Sequence, residues 1–393
     1  MLSFSNNRLG RLCILVSLLN IFSNCTSSST SLPSSLVSMN MVDLYWTYSG
    51  MSPVNVSFAQ QRMKDACSRG FTFIRFSSLN FWPIDINATY LANHSLYWQT
   101  MDQLINDAQS YNCLLMPSLF WQLYAFPDLF NEPTGQLFDL SQPSKARNAQ
   151  VDYVKTFVQR YQNNPTIVAW ELGNEYNLNV DLNATQQQPA IAPGRGTPAY
   201  RTAKDNITTD MYIQWQKLMV DTIHQYNTIN PRPISSGNAI TRSDATWLRD
   251  NYYNPNPPPI TFDTREQFYN LSYYQNYYVD WISVHIYGGN DNERWNYTDP
   301  YSADLLYDCQ IAANYYSPAK FLYVGEFGDP LPGNRTFIKN VLAVMDNAKL
   351  TLGTIWIWEF YQDNSTTSSE YSINIGRDDD IIQYVQAWNT AHQ

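Results

Sequence analysis

The residues best suited to proton transfer in this chain of 393 residues are glutamates that follow an asparagine. Such pairs occur at Asn131–Glu132, Asn174–Glu175 and Asn292–Glu293. A protonated carboxyl group can act as a general acid, and an ionised one can act as a base or a nucleophile. Either role requires that a substrate can reach the carboxyl group, so the elements that lead into each pair decide which pair is a candidate.

Runs of β-branched and aromatic residues alternate with helical patterns, which is typical of repeated βα units around a parallel sheet. The clearest helical pattern is NAQVDYVKTFVQRY, whose apolar residues fall on one face. Strands are predicted at VSMNMVDLYW, FTFIRFSS, CLLMPSLF, TIVAWELG, RPISSG, WISVHIYG, KFLYVGEFG and GTIWIWEF. Eight strands with helices after most of them predict an α/β fold, a single (β/α)8 TIM barrel over residues 37–393.

The strand assignments separate the three pairs. In TIVAWELGNE, Glu175 is predicted at the carboxyl end of the fourth strand, which is the end where the active sites of such barrels lie. Glu132 lies between Pro127 and Pro133 in a run that follows the third strand, which predicts a loop. Glu293 lies in a polar stretch that no predicted strand enters. Glu175 is therefore the candidate.

A second glutamate, Glu326, is predicted at the carboxyl end of the seventh strand. Side chains at the ends of strands four and seven can face each other across the opening of one barrel. Cleavage of a glycosidic bond with retained stereochemistry needs two carboxyl groups about 5 to 5.5 Å apart, one protonated and one ionised. Glu175 and Glu326 are the predicted catalytic pair.

In this order the motifs resemble glycoside hydrolase family 5, in the clan of retaining (β/α)8-barrel glycosidases. The resemblance implies that Glu175 is the acid/base and Glu326 the nucleophile. It also implies that Arg75, in FTFIRF, keeps the nucleophile ionised by lowering its pKa, and that Asn174 binds the sugar 2-hydroxyl. Burial beside an ionised carboxylate is expected to raise the pKa of Glu175.

Strands six and eight supply further matches to this family. His285 and Tyr287 in WISVHIYG match its His-x-Tyr, with the histidine near the acid/base and the tyrosine near the nucleophile. Trp358 in GTIWIWEF matches the tryptophan that forms the floor of the sugar site, with Trp356 as the alternative. The resemblance thus implies a substrate-binding set of Arg75, Asn174, His285, Tyr287 and Trp358.

Two departures from the family pattern bear on the substrate. No histidine follows the third strand in LLMPSLFWQLY, and Tyr176 rather than proline follows the acid/base. The WELGNE spelling and the missing histidine favour the β-mannanase branch over the cellulase branch. The expected substrate is therefore mannan or glucomannan first and β-glucan or cellulose second. Residues 176–206 are expected to form one wall of the groove.

The N-terminus predicts secretion. Residues 1–25 combine two arginines, a short apolar run and small polar residues, the layout of a signal peptide, and residues 26–36 predict a flexible polar leader. An extracellular protein with no membrane partner after signal removal is expected. Sequons of the Asn-x-Ser/Thr type support a eukaryotic secretory route and occur at Asn55, Asn87, Asn93, Asn183, Asn206, Asn270, Asn296, Asn334 and Asn364.

Cys67, Cys113 and Cys309 remain once the signal region is removed. A bridge between Cys67 and Cys113 is the preferred pairing, because both precede a predicted strand in successive units. Three buried free thiols are the alternative.

Composition and motifs argue against several partners and cofactors. The net charge is −10 and the basic residues are scattered, which argues against nucleic acid. The sequence has no His-x-x-x-His or Cys-x-x-Cys pair and no Gly-rich phosphate loop. We therefore predict no metal and no cofactor, and a monomer whose partner is a polysaccharide or oligosaccharide.

The leading hypothesis is a secreted retaining β-glycosidase that hydrolyses a β-1,4-linked polysaccharide by double displacement. A carbohydrate-binding protein on an inactive barrel is a second class, which the presence of both Glu175 and Glu326 disfavours. An exo-acting glycosidase or a transglycosylase would carry the same pair and differ in the shape of its loops.

Overall fold

Eight parallel strands pair in sequence order and close into a barrel, with the first strand beside the eighth. This confirms the predicted (β/α)8 barrel. The first strand begins at Leu36, one residue before the predicted start of the domain. The strands are β1 (Leu36–Asn40), β2 (Phe73–Ser77), β3 (Leu114–Phe120), β4 (Trp170–Gly173), β5 (Ile234–Ser235), β6 (Trp281–Tyr287), β7 (Phe321–Gly328) and β8 (Leu352–Ile355).

The structure, a computed structural model, describes residues 34–288, 294–295, 297, 302–330, 335–360 and 370–392. The predicted signal peptide, most of the polar leader and the Asn292–Glu293 pair lie outside the described residues. In the described part of the chain, no helix combines the length and the apolar character needed to cross a membrane.

Helices surround the barrel and bury an apolar face against it. The described helices are α1 (Leu44–Tyr48), α2 (Val56–Ser68), α3 (Pro83–Ile86), α4 (His94–Ser110), α5 (Ala125–Leu129), α6 (Thr134–Phe138), α7 (Lys145–Tyr161), α8 (Ala184–Gln187), α9 (Thr209–Tyr226), α10 (Ala245–Asn251), α11 (Arg265–Tyr274), α12 (Leu305–Ala313), α13 (Thr336–Ala348) and α14 (Asp379–Ala391). The helical pattern at 148–161 belongs to α7, which begins earlier because the Ser144 hydroxyl accepts a hydrogen bond from Arg147 N and caps it.

Two layers of side chains fill the barrel. Phe73 of β2 packs edge-on against Tyr323 of β7, and because these strands are not neighbours the contact crosses the interior. This apolar lower layer contains Leu36, Phe73, Met116, Ala169, Trp281, Tyr323 and Leu352. Side chains two residues further along a strand point the same way. The residues at these positions form a buried polar layer, nearer the carboxyl ends of the strands. It contains Ser38, Arg75, Ser118, Glu171, Ser283 and Thr354, together with Ser235 of β5.

Cys67 and Cys113 form a disulfide, with a Cα–Cα distance of 5.6 Å, and Cys309 is a buried free thiol. The preferred pairing is confirmed. The bridge joins the last turn of α2 to the residue before β3, so it ties together two successive βα units.

We expect the Cys67→Ala/Cys113→Ala double variant to lose about 4 kcal/mol of unfolding free energy, because the bridge closes a loop of 46 residues in the unfolded chain. Urea unfolding of both proteins, with and without reductant, measures this. Reductant should bring the parent protein close to the variant, and an equal reductant effect on both proteins would contradict the assignment.

Candidate active site

Glu175 leaves β4 at the carboxyl end of the barrel. Its backbone is in the left-handed region, with φ 55°, and its N–H donates to Gly237 O at 2.8 Å. A Cβ at Gly237 would lie 1.8 Å from Gly173 O, so only glycine permits this close approach of the β4 and β5 ends. The Glu175 side chain is 32% exposed and can therefore be reached by a substrate.

Glu326 lies within β7, two residues before the end of the strand, and is held through both carboxylate oxygens. Arg75 Nη1 donates to Oε1 at 2.6 Å, and Tyr287 Oη donates to Oε2 at 2.7 Å. The side chain is only 5% exposed. Two donors on one buried carboxylate fix its orientation.

Glu175 and Glu326 face each other, with His285 between them. One ligating atom of each of these three side chains lies within 4.8 Å of the others. The two carboxyl groups are thus brought to about the separation that retaining glycosidases use. The structure therefore places the predicted pair at one end of the barrel, close enough for both carboxyl groups to contact the same bond of a substrate.

Arg75 connects most of the polar groups beneath this pair. Its guanidinium donates to Glu326, to Glu171 Oε1 at 2.8 Å, to Asn174 Oδ1 at 2.8 Å and to Asn40 Oδ1 at 3.1 Å. Burial opposes its positive charge, but the carboxylates of Glu171 and Glu326 outweigh burial and raise the pKa of Arg75. It is a permanent cation inside the barrel.

His285 contacts Glu175 through Nδ1, at 2.9 Å. Burial lowers the pKa of His285 to about 3, and Arg75 contributes in the same direction against the opposing effect of Glu326. The ring is neutral at ordinary pH, so it can position Glu175 without adding a charge. Burial and the neighbouring Glu326 likewise raise the pKa of Tyr287, which therefore remains a hydrogen-bond donor.

The expectation for Trp358 is wrong. Its side chain is fully buried on the outside of the barrel, where it packs on Phe71 and donates from Nε1 to Arg62 O. Strand β8 ends at Ile355, so the alternation of side chains does not continue to residue 358. Trp356, the alternative, is partly exposed and borders the site.

Trp356 stacks on Trp121, with ring centroids 5.9 Å apart and planes 24° apart. The Arg75 guanidinium lies 4.5 Å from the centroid of the Trp121 ring. Trp121 follows β3 directly, in the region where a histidine was absent from the sequence. Trp356 therefore provides flat apolar surface at the site, with the buried Trp121 ring stacked behind it.

Glu132 has a structural role and makes its hydrogen bonds outside this site. Its carboxylate accepts from Ser144 Oγ and from the backbone N–H groups of Lys145 and Ala146, at the start of α7. Burial opposes ionisation, but these hydrogen bonds outweigh it and lower the pKa of Glu132. The prediction that this Asn-Glu pair lies in a loop is confirmed, and the carboxylate caps a helix.

Sequence reasoning missed three residues of the site, which are Asn40, Trp121 and Glu171. Glu171 carried the clearest signal, because a charged residue within a predicted buried strand requires a buried partner. Its partner, Arg75, lies on a strand that does not neighbour β4, so the pairing depends on barrel closure.

Residues 176–206 pack against the segments that follow β2 and β3. Arg201 forms a two-point ion pair with Asp128, at 2.5 and 2.8 Å, and its guanidinium lies 4.5 Å from the Tyr124 ring centroid. Arg195 approaches Asp85 of α3 at 4.0 Å. These contacts put the segment beside the carboxyl ends of β2 to β4, which is where a groove wall would lie.

Glu175, His285 and Glu326 are also the group that could hold a metal ion in the described part of the chain. The Arg75 guanidinium lies 2.6 Å from Glu326, so a cation bound there would face a buried positive charge at close range. The electrostatics of the site favour an organic substrate over a metal.

The fold is shared with solved structures along most of the chain. An endo-1,4-β-mannanase from Rhizomucor miehei is 15% identical, with 92% of this chain and 95% of that chain covered and a TM-score of 0.59. A hyperthermostable endo-1,4-β-D-mannanase from Thermotoga petrophila RKU-1 is 14% identical, with 90% and 99% covered and a TM-score of 0.60. A glycoside hydrolase family 5 mannosidase from Rhizomucor miehei is 13% identical, with 91% and 93% covered and a TM-score of 0.59.

The chain has the (β/α)8 fold of these enzymes. At such low identity the likeness concerns the fold. No protein-family model matches the sequence, and no curated protein matches it significantly.

The low pKa of His285 predicts a pH effect on stability. Unfolded histidine titrates near pH 6.5 and folded His285 near pH 3, so between these values only the unfolded chain binds the proton. The free energy of unfolding should therefore fall as pH drops from about 6.5, by up to about 1.4 kcal/mol per pH unit.

His285→Asn should remove this contribution, so urea unfolding between pH 4 and 7 should give a flatter profile for the variant than for the parent protein. In ¹⁵N NMR the His285 imidazole should keep its neutral signature at pH 5. Titration of that signal near pH 6.5 would contradict the burial argument.

Proposed function

We propose that this protein is a secreted retaining β-glycosidase that hydrolyses β-1,4-linked polysaccharide by double displacement, with mannan or glucomannan as the preferred substrate and β-glucan or cellulose as the second. The observation that carries the proposal is the placement of Glu175 and Glu326 within 4.8 Å at the carboxyl end of one barrel. Their surroundings differ in the way that two different roles require.

In the first step Glu326 attacks the anomeric carbon and forms a glycosyl-enzyme ester. The bond from that carbon to the leaving oxygen breaks, and the oxygen takes the proton of Glu175. Arg75 and Tyr287 hold Glu326 ionised and oriented before the attack. Asn174, which accepts from Arg75 through Oδ1, keeps its amide nitrogen for the sugar 2-hydroxyl.

In the second step Glu175, now ionised, takes a proton from water while the water oxygen attacks the anomeric carbon. The ester bond to Glu326 breaks and the sugar leaves with its original configuration. A neutral His285 beside Glu175 suits both steps, because it lets the carboxyl group change its charge without a competing cation.

Preference for mannan is supported by the WELGNE spelling and by the absence of a histidine after β3, where Trp121 stands instead. The three solved structures described above are mannanases and a mannosidase, which points the same way. An exo-acting enzyme remains a second candidate because one of them is a mannosidase and the catalytic pair does not separate the two modes.

The roles of the two glutamates are separable with aryl β-mannosides that carry a good leaving group. Glu326→Ala should be nearly inactive, and azide should yield slow turnover to the inverted azide product. Glu175→Ala should still be glycosylated, and azide should then yield the retained product. The anomeric configuration of the glycosyl azides, determined by NMR, distinguishes these outcomes.

Glu132→Gln is the matched control, since it alters the other Asn-Glu pair within the described residues. It should leave turnover on mannan unchanged while lowering the unfolding free energy by about 1 kcal/mol through loss of a helix cap. Glu175→Gln should slow mannan hydrolysis on the order of 10²-fold. A similar collapse in Glu132→Gln would mean that the wrong pair was chosen.

We also propose export through a eukaryotic secretory route, with N-glycans at Asn55 and Asn93. Both side chains are exposed at the start of helices α2 and α4. Their Oδ1 atoms accept from Phe58 N and Leu96 N, whereas a glycan is attached through Nδ2. The helix cap and the glycan can therefore coexist on one asparagine.

Expression in insect cells tests this proposal, with glycans mapped by mass spectrometry. Ser57→Ala and Ser95→Ala should each remove one glycan and leave thermal stability nearly unchanged, because the asparagine cap stays. Asn55→Ala and Asn93→Ala should remove the glycan and also cost about 1 kcal/mol each. Retention of the parent protein inside the cell would contradict the secretory assignment.

A further inference from the structure

Glu171 is a buried charged group that the two-step reaction does not use. Its side chain is fully buried in the polar layer of the barrel, and its Oε1 accepts from Arg75 Nε at 2.8 Å. Ser235 Oγ approaches its other oxygen at 3.5 Å. The same guanidinium donates to Glu326 at 2.6 Å. One cation is thus shared between a carboxylate on β4 and the proposed nucleophile on β7.

The charges of this triad do not cancel. With both carboxylates ionised, the single guanidinium leaves one net negative charge, in a place where solvent screening is weak. If Arg75 faced Glu326 alone, the full positive charge would stabilise the nucleophile, and a more stable carboxylate attacks carbon more slowly. Glu171 competes for that positive charge.

We propose that Glu171 is a positioning residue that limits how strongly Arg75 stabilises the charge on Glu326, and so keeps Glu326 reactive. This inference rests on the proposed glycosidase function. The geometry also fixes the guanidinium, since Nε is committed to Glu171 while Nη1 and Nη2 serve Glu326 and Asn174.

The neighbours of the triad are mostly uncharged. The groups that face Glu326 and Glu171 from the surrounding elements are Glu175, Asn40, Ser118, Ser235, Tyr212, His285, Tyr287 and Tyr323, besides Arg75. Of these, Glu175 is the one whose charge changes during the proposed reaction. A change at Glu171 should therefore be visible at Glu326.

The test is Glu171→Gln, which keeps the size of the side chain and removes its charge. On an aryl β-mannoside with a good leaving group, the acid limb of the kcat/KM profile should move to lower pH by about one unit. The kcat/KM plateau should fall about tenfold, because the nucleophile is weaker. Glu171→Asp restores the charge and should move the limb back toward its parent position.

A readout that needs no turnover separates this inference from the proposed function. The protein has eight glutamates, so δ-¹³C-glutamate labelling gives few carboxyl signals, and Glu326→Gln identifies that of Glu326. In Glu171→Gln the Glu326 carboxyl should titrate at lower pH than in the parent protein. This shift, together with an absence of glycosidase activity in the parent protein, would support the coupling and overturn the function.

Ser38→Ala is the matched control, because Ser38 lies in the same polar layer and accepts from Phe73 N, away from Arg75. It should leave both the acid limb and the Glu326 titration in place. If Glu171→Gln lowers only the unfolding free energy and leaves both readouts unmoved, Glu171 merely neutralises Arg75 for folding and the inference fails.

Discussion

The upper part of this barrel depends on one buried guanidinium. Arg75, on β2, lies among side chains with almost no access to water and joins groups from β1, β4 and β7 through hydrogen bonds. A buried cation without partners would be strongly destabilising, so the barrel must close with Glu171 and Glu326 in place. The need to pair the buried charge of Arg75 therefore both favours this fold and holds the Glu326 carboxylate at the open end of the barrel.

The repeated βα units could be predicted from the sequence, whereas contacts that form only when the barrel closes could not. Strand ends were readable because runs of β-branched and aromatic residues stop at Gly173 and Gly328, which placed Glu175 and Glu326 correctly at one end of the barrel. The partner of Glu171 was not readable, because it lies across the interior on β2. Trp358 was misplaced because the family's tryptophan was matched to the second tryptophan of GTIWIWEF, which lies beyond the end of β8 at Ile355.

The two Asn-Glu pairs in the described residues show how little a dipeptide determines. Glu132 is satisfied by a hydroxyl and two backbone N–H groups at the start of a helix, which suits a permanently ionised carboxylate. Glu175 contacts a neutral imidazole and remains partly exposed, which suits a carboxyl group that must gain and lose a proton. The difference comes from the elements around each pair.

The apolar layer that contains Phe73, Trp281 and Tyr323 closes the barrel beneath the polar one. Substrate, water and released product must then all reach or leave the carboxyl pair through the one open end of the barrel. In a two-step reaction, the released fragment must clear this entrance before water can reach the sugar bound to Glu326. A dissolved oligosaccharide competes with water at the same entrance, so at high saccharide concentration we expect chain transfer to rise relative to cleavage.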